Sequence, residues 1–258
     1  MTVMPDRRIH AVEMTFGEHL DELRARLWLC VIGIAVALVV CLIFGKDLVN
    51  FLKQPIMDAL ELAGEETTLV AINVTDPFMA YVKVSLIAAL FLSSPWVVWQ
   101  LWQFVASGLY PHERRYVHVF APVTMLLFLA GCTFSYYILV RFGIRFLIVF
   151  GQSMDVKPML RVDTQLMFVL TLSLVMGVVF QLPLVMLVLG KIGIVDSKTF
   201  VKKRKTFVIV ALIVAAIITP TQDAINLLLA TVPILLLYEI GIWLCRVSER
   251  KRARDLAG

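Results

Sequence analysis

Two short charged stretches interrupt an otherwise apolar chain, and both carry residue types suited to recognising a cation. The first is "MTFGEHLDELRARL", Met14 to Leu27, with His19, Glu22, Arg24 and Arg26. The second is "FVASGLYPHERRYV", Phe104 to Val117, in which Glu113 lies between His112 and the pair Arg114 and Arg115. A carboxylate accepts two parallel hydrogen bonds from a guanidinium, a fork that the ammonium of lysine cannot reproduce. Glu22 and Glu113 on one face would therefore clamp arginine in preference to lysine. Each also has a plainer use. Glu22 and Arg26 stand at i, i+4, a surface pair worth about 0.3–0.5 kcal/mol, and Glu113 could neutralise its neighbouring arginines. Thr15 and Glu18 form a capping-box pattern, so a helix is expected to start at Thr15 with Glu18 as part of its cap. Leu20, Leu23 and Leu27 share one face of it.

The elements that must position these groups are membrane helices. Of 258 residues, 60% are hydrophobic and 17% charged, and the mean hydropathy is +0.88, far from a soluble domain. The chain reads as one all-α integral membrane domain with six spans, at about 27–44, 78–105, 117–140, 166–189, 207–219 and 225–245. A 15–26 amphipathic helix precedes them on the cytoplasmic side, and a charged, mobile tail, 246–258, follows. A helix crossing a ~30 Å hydrocarbon core needs about 20 residues; the fifth segment is shorter and must thin the bilayer or end below its surface. Seventeen of the 24 Lys and Arg residues flank one side of these spans and six the other, with Lys83 inside a span. The positive-inside rule then puts both termini in the cytoplasm. The external segments 45–77 and 140–166 are long enough to fold as short helices, giving a periplasmic cap. Pro95, Pro122, Pro183 and Pro233 predict kinked spans.

Several classes of chemistry find no support. The basic residues form no nucleic-acid motif. Cys30, Cys41, Cys132 and Cys245 lie in or at the end of apolar runs without metal or redox spacing. No phosphate-binding glycine loop and no H-E-x-x-H site occurs, so no enzyme and no cofactor is expected.

"HLDELRARL", "TDPF", "FVASGLYPHERR", "FQLPL", "TPTQDAIN" and "YEIG", in this order over nearly the whole chain, resemble the C subunit of the twin-arginine protein translocase, the TatC family. The resemblance implies a cup-shaped, six-helix receptor in the bacterial cytoplasmic (inner) membrane. It would bind the signal peptides of folded export substrates that carry two adjacent arginines. Its partners would be single-span TatA and TatB type subunits and further copies of itself, and its energy source the proton-motive force. By the same resemblance, Glu22 and Glu113 bind the signal, with His19, Arg24 and Phe104 on the same surface. Thr219, Asp223 and Asn226 receive partner subunits, Pro55, Asp76, Pro77 and Phe78 build the external element, and Gln181 and Glu239 are polar positions in the membrane.

Two departures stand out. Where many members carry an acid in the fourth span, this chain has Gln181, which cannot titrate; and "TPTQD" holds one residue more than the shortest family form. The rival from another class is a secondary transporter of a small solute. That function calls for several ionisable residues near mid-membrane and for an internal repeat, neither of which the sequence offers.

Overall fold

The computed structural model describes residues 16–108, 115–154, 159–192, 195–218 and 224–255. Ten α-helices and one π-helical segment occur among them, with no β-strand beyond an isolated bridge between Val70 and Arg161. Five helical stretches are long and apolar enough to cross a membrane: Gly17–Ile43, Asp76–Ser107, Val119–Gln152, Val162–Lys191 and Ala224–Arg250. They correspond in order to the first, second, third, fourth and sixth expected spans. The fifth is α9 (Arg204–Ile218), whose 15 residues reach only about 22 Å. Its small face of Ala211 and Ala215 is fully buried, which lets it pack closely within the bundle in place of full length.

Four boundaries differ from the sequence expectation. The surface helix and the first span are one helix, α1 (Phe16–Ile43), because no proline separates them and helix-forming residues fill the junction. The third span does not stop at Val140. It runs from α4 (Arg115–Phe134) through the π-helical Ser135–Val140 into α5 (Arg141–Gln152). The fourth span is two helices, α6 (Val162–Val179) and α7 (Leu182–Ile192). Pro183 has no N–H to offer and its ring would strike the carbonyl of Val179, so the helix breaks just ahead of it. Finally, the charged tail is helical as far as Asp255 within α10 (Ala224–Asp255). Glu249 holds it in place by accepting hydrogen bonds from the backbone N–H (2.6 Å) and hydroxyl (2.5 Å) of Ser197, at the start of α8 (Ser197–Lys202).

Pro55 and Pro95 stay within their helices because another group takes the carbonyl each releases, as a low-dielectric surrounding demands. In α3 (Asp76–Ser107), Pro95 frees the carbonyl of Phe91, and the hydroxyl of Ser94 donates to it at 2.7 Å. In α2 (Gly45–Leu62), Pro55 frees the carbonyl of Phe51, and the hydroxyl of Tyr136 donates to it at 2.6 Å from the π-helical segment. Packing is close where α4 meets α6. A Cβ on Gly177 would stand 2.7 Å from Cys132 Sγ and Phe128 Cε2, and one on Gly131 would stand 2.5 Å from the carbonyl oxygen of Met176. Small residues are how membrane helices approach this far. The main core gathers Ile56, Leu60, Val84, Leu139, Val140, Leu166 and Met176.

One end of the bundle is closed by a cap. Pro55 is fully buried in α2, and Asp58 of that helix pairs with Arg141 at 2.5 Å. Gln152 Nε2 donates to the Ala63 carbonyl (2.7 Å) and to Glu65 (2.9 Å). Asp76, 8% exposed, accepts from the backbone N–H groups of Ile72 and Asn73 and from the Asn73 amide, at 2.9–3.1 Å, with Arg161 at 3.9 Å. Pro77 follows in the first turn of α3, where a missing N–H costs nothing. Phe78 is exposed beside it.

Candidate recognition site

At the opposite end, α1 and α3 pack antiparallel, and their seam assembles Glu22, His19 and Phe104, three of the five residues expected to bind the signal. Trp96 Nε1 donates to the Leu29 carbonyl at 2.9 Å, fixing the register. One turn nearer the end, Arg26 Nη1 donates to Gln100 Oε1 at 2.9 Å while its Nε donates to Glu22 Oε1 at 2.7 Å. Beyond them the ring of His19 stacks on Phe104, with centroids 4.4 Å apart and planes 22° apart. Trp96, Gln100 and Phe104 are spaced at four residues, so one stripe of α3 faces α1 along its length.

The electrostatics of this seam turn on Glu22. Gln100 is 3% exposed, which forces its carbonyl oxygen to take a partner, and Arg26 supplies one. Arg26 is then fixed between Gln100 and Glu22, and it holds the carboxylate in one orientation. The Glu22 side chain keeps 27% of its surface open. Its second oxygen accepts no hydrogen bond among the described residues, and a carboxylate has about four lone-pair sites. A guanidinium arriving from outside finds an acceptor already oriented and only partly used. His19 contributes an apolar ring face, and its Nδ1 is buried without a hydrogen-bond partner.

Not every expected residue lies here. Arg24 is exposed, two residues from Glu22 and so on the other side of α1. Glu113 lies outside the described residues, as do Thr15, Thr219 and Asp223. The chain toward Glu113 leaves α3 at Gly108, where an added Cβ would lie 3.4 Å from His19 Cε1. Glu113 follows five residues later, within about 18 Å of chain. Gln100 went unnoticed in the sequence, although its place between Trp96 and Phe104 on one helical stripe is a readable signal.

The remaining polar positions are bound internally. Gln181 occupies the break between α6 and α7, where its amide donates to the carbonyls of Thr124 (3.0 Å) and Gly177 (3.4 Å). Its Oε1 is buried without a partner. Asn226 is 3% exposed, and a Cβ on Gly143 of α5 would stand 2.7 Å from its Oδ1. Glu239 pairs with Arg204 at 2.5 Å, both about half exposed. Among the described residues no group of three or more His, Cys, Asp or Glu is arranged to hold a metal ion.

Comparison with known proteins bears on the whole chain. The family model described as Sec-independent protein translocase protein (TatC) matches residues 18–233. The Sec-independent protein translocase protein TatC of Koribacter versatilis is 38% identical over 245 residues, covering 94% of this chain and 90% of that one. TatCy of Bacillus subtilis is 36% identical over 252 residues, covering 97% and 96%. A crystal structure of the twin-arginine translocase receptor TatC superposes with a TM-score of 0.81 at 33% identity, covering 90% of this chain and all of that one.

Proposed function

The chain belongs to the TatC family of Sec-independent protein translocase proteins, and from that premise we propose that it is the receptor subunit that reads twin-arginine signal peptides for export of folded proteins. Glu22 and Glu113 are the two readers. Arg26 and Gln100 hold the Glu22 carboxylate ready, so little side-chain entropy remains to be lost when the ligand binds. His19 and Phe104 form the adjoining aromatic ledge on which the apolar part of the signal rests. Arg24, on the outer face of α1, adds to the positive flank at this end. The observation that carries this reading is the oriented, half-used carboxylate of Glu22 in the α1–α3 seam, next to the point where the chain departs toward Glu113.

In this reading the Glu22 end is cytoplasmic, both termini lie inside, and the cap faces the periplasm of a bacterial inner membrane. TatA and TatB type single-span subunits dock near Thr219, Asp223 and Asn226, with Asn226 acting from the interior by holding the start of α10 against α5. The subunit works in an oligomer, performs no covalent chemistry, and takes its driving force from the proton-motive force. Gln181 carries no titratable proton, so any coupled proton passes through other groups.

Photo-crosslinking tests the assignment. A signal peptide bearing Arg-Arg is expected to label the purified protein strongly and a Lys-Lys peptide weakly. Glu22→Ala with Glu113→Ala should lower Arg-Arg labelling by more than about tenfold, since truncating one side of a hydrogen-bonded charge pair costs about 2–5 kcal/mol where it is desolvated. Equal labelling by the two peptides, or undiminished labelling of the double variant, would sink it.

A further inference from the structure

A second binding site is written into the far end of the bundle, in the seam between α2 and the π-helical segment with α5. These two elements run side by side in the same direction: Phe51 stacks on Tyr136 at 4.7 Å, Asp58 meets Arg141, and the Ala63 carbonyl meets Gln152. At the membrane-interior end of the seam lies an apolar cavity of about 390 Å³, bounded by Cys41, Phe51, Ala88, Leu92 and Tyr137 among others. At the cap end lies a second hollow of about 250 Å³, whose rim carries Arg141 and Arg145. Tyr137 lines both, so the two hollows adjoin on either side of its ring, and together they are termed the groove.

We propose that this groove binds one anionic phospholipid of the cap-side leaflet, with an acyl chain in the apolar cavity and the phosphate between Arg141 and Arg145. The charge at the rim selects the headgroup. Asp58 neutralises Arg141, whose guanidinium also lies over the Tyr137 ring at 5.6 Å. Arg145, one turn on and exposed, makes no ion pair among the described residues, leaving the rim with an uncompensated positive charge. The walls select the chain. Phe51, Leu92 and Tyr137 are about half exposed, so the cavity opens sideways, where lipid surrounds a membrane helix.

Depth agrees with this occupant. Leu92 is sixteen residues into α3, about 24 Å from its cap-side start, so the hollows reach far enough from the cap to take an acyl chain the length of one ~15 Å hydrocarbon leaflet. Size argues against a partner's helix: at about 10 Å across, a helix would fill that volume in a single turn. A flexible hydrocarbon chain fits, and the volume falls within the ~300–1,000 Å³ usual for small-molecule sites. The π-helical segment lines the seam through Tyr136 and Tyr137. Its wider turn carries Tyr136 toward the Phe51 carbonyl and leaves Tyr137 beside it as the divider, with the two rings edge to face at 5.0 Å. Single π turns within α-helices often mark functional places.

The test is native mass spectrometry of the delipidated full chain in detergent, titrated with phosphatidylglycerol or phosphatidylcholine of identical acyl chains. Phosphatidylglycerol should be retained preferentially, and Arg145→Gln should weaken its retention about fivefold, the worth of one basic side chain against an anionic lipid. Leu92→Trp, which narrows the open wall, should lower retention of both lipids. Glycerophosphoglycerol, the headgroup without chains, should not bind at the same concentration. Equal retention of the two lipids, no effect of Arg145→Gln, or binding of the chain-free headgroup would overturn the proposal. Signal-peptide labelling of the same Arg145→Gln preparation should match that of the unsubstituted protein, which keeps this result separate from the fate of the receptor assignment.

Discussion

The two ends of the bundle treat their charged residues in opposite ways. At the cap end Asp76 is saturated: its two oxygens accept three hydrogen bonds, with Arg161 at 3.9 Å beside them. At the α1–α3 end, Glu22 is oriented by one partner among the described residues and keeps part of its surface open, and a histidine nitrogen beside it is buried without a partner. Saturation makes structure, because a satisfied carboxylate ties separate segments together and has nothing left to offer. An oriented but unsaturated carboxylate is what the proposed arginine reader requires, because the cost of ordering it is met before the ligand arrives.

Measuring signal labelling and unfolding on the same variants can break this contrast. The largest effect is expected from Glu22→Ala: labelling falls about tenfold or more, while stability changes by no more than about 0.5 kcal/mol, the worth of its i, i+4 pair. A large loss of stability would mean that Glu22 belongs to the framework after all. Asp76→Ala should do the reverse, lowering the unfolding temperature with labelling per folded molecule unchanged.

Next in size is Tyr136→Phe. It strips the Phe51 carbonyl of its donor and should cost about 1–3 kcal/mol, read by chemical denaturation in detergent. In a Pro55→Ala background, the backbone N–H that alanine restores can bond that carbonyl, so the same change should cost much less; an undiminished cost would refute the link between Pro55 and Tyr136. Gln100→Ala should reduce labelling a few-fold by loosening Arg26, and it leaves Glu22 itself intact. Smallest is Arg141→Gln, which breaks a half-exposed pair worth about 0–1 kcal/mol and whose effect should fade in high salt.

Much of the fold was legible because a bilayer demands long apolar helices and leaves a charge bias between them. The order of the long apolar helices follows from that. Where the reading went astray, the cause was local. Nothing in a charge pattern marks the end of a helix, so the expected boundary between 15–26 and 27–44 falls inside one helix, and the expected end of the third span at Val140 falls inside a continuous helical stretch. The Gln181 break was foreshadowed by Pro183 but not its place. The i, i+4 pairing of Glu22 with Arg26 was legible from spacing, whereas the role of Gln100 was not, because its shared stripe with Trp96 and Phe104 does not say which helix that stripe meets.

The sequence by itself determined that this is an all-helical membrane protein, which family its motifs resemble, and which acids suit an arginine ligand, since hydropathy, charge bias and residue chemistry are properties of the chain read locally. Only the tertiary structure decided that Arg26 bridges Glu22 to Gln100, that Tyr136 repairs the carbonyl freed by Pro55, and that two arginines stand over an apolar groove. The first two contacts join residues 74 and 85 positions apart, and the third brings separate helices together. Such contacts depend on helix register and crossing, which the packing of whole faces sets and no short stretch encodes.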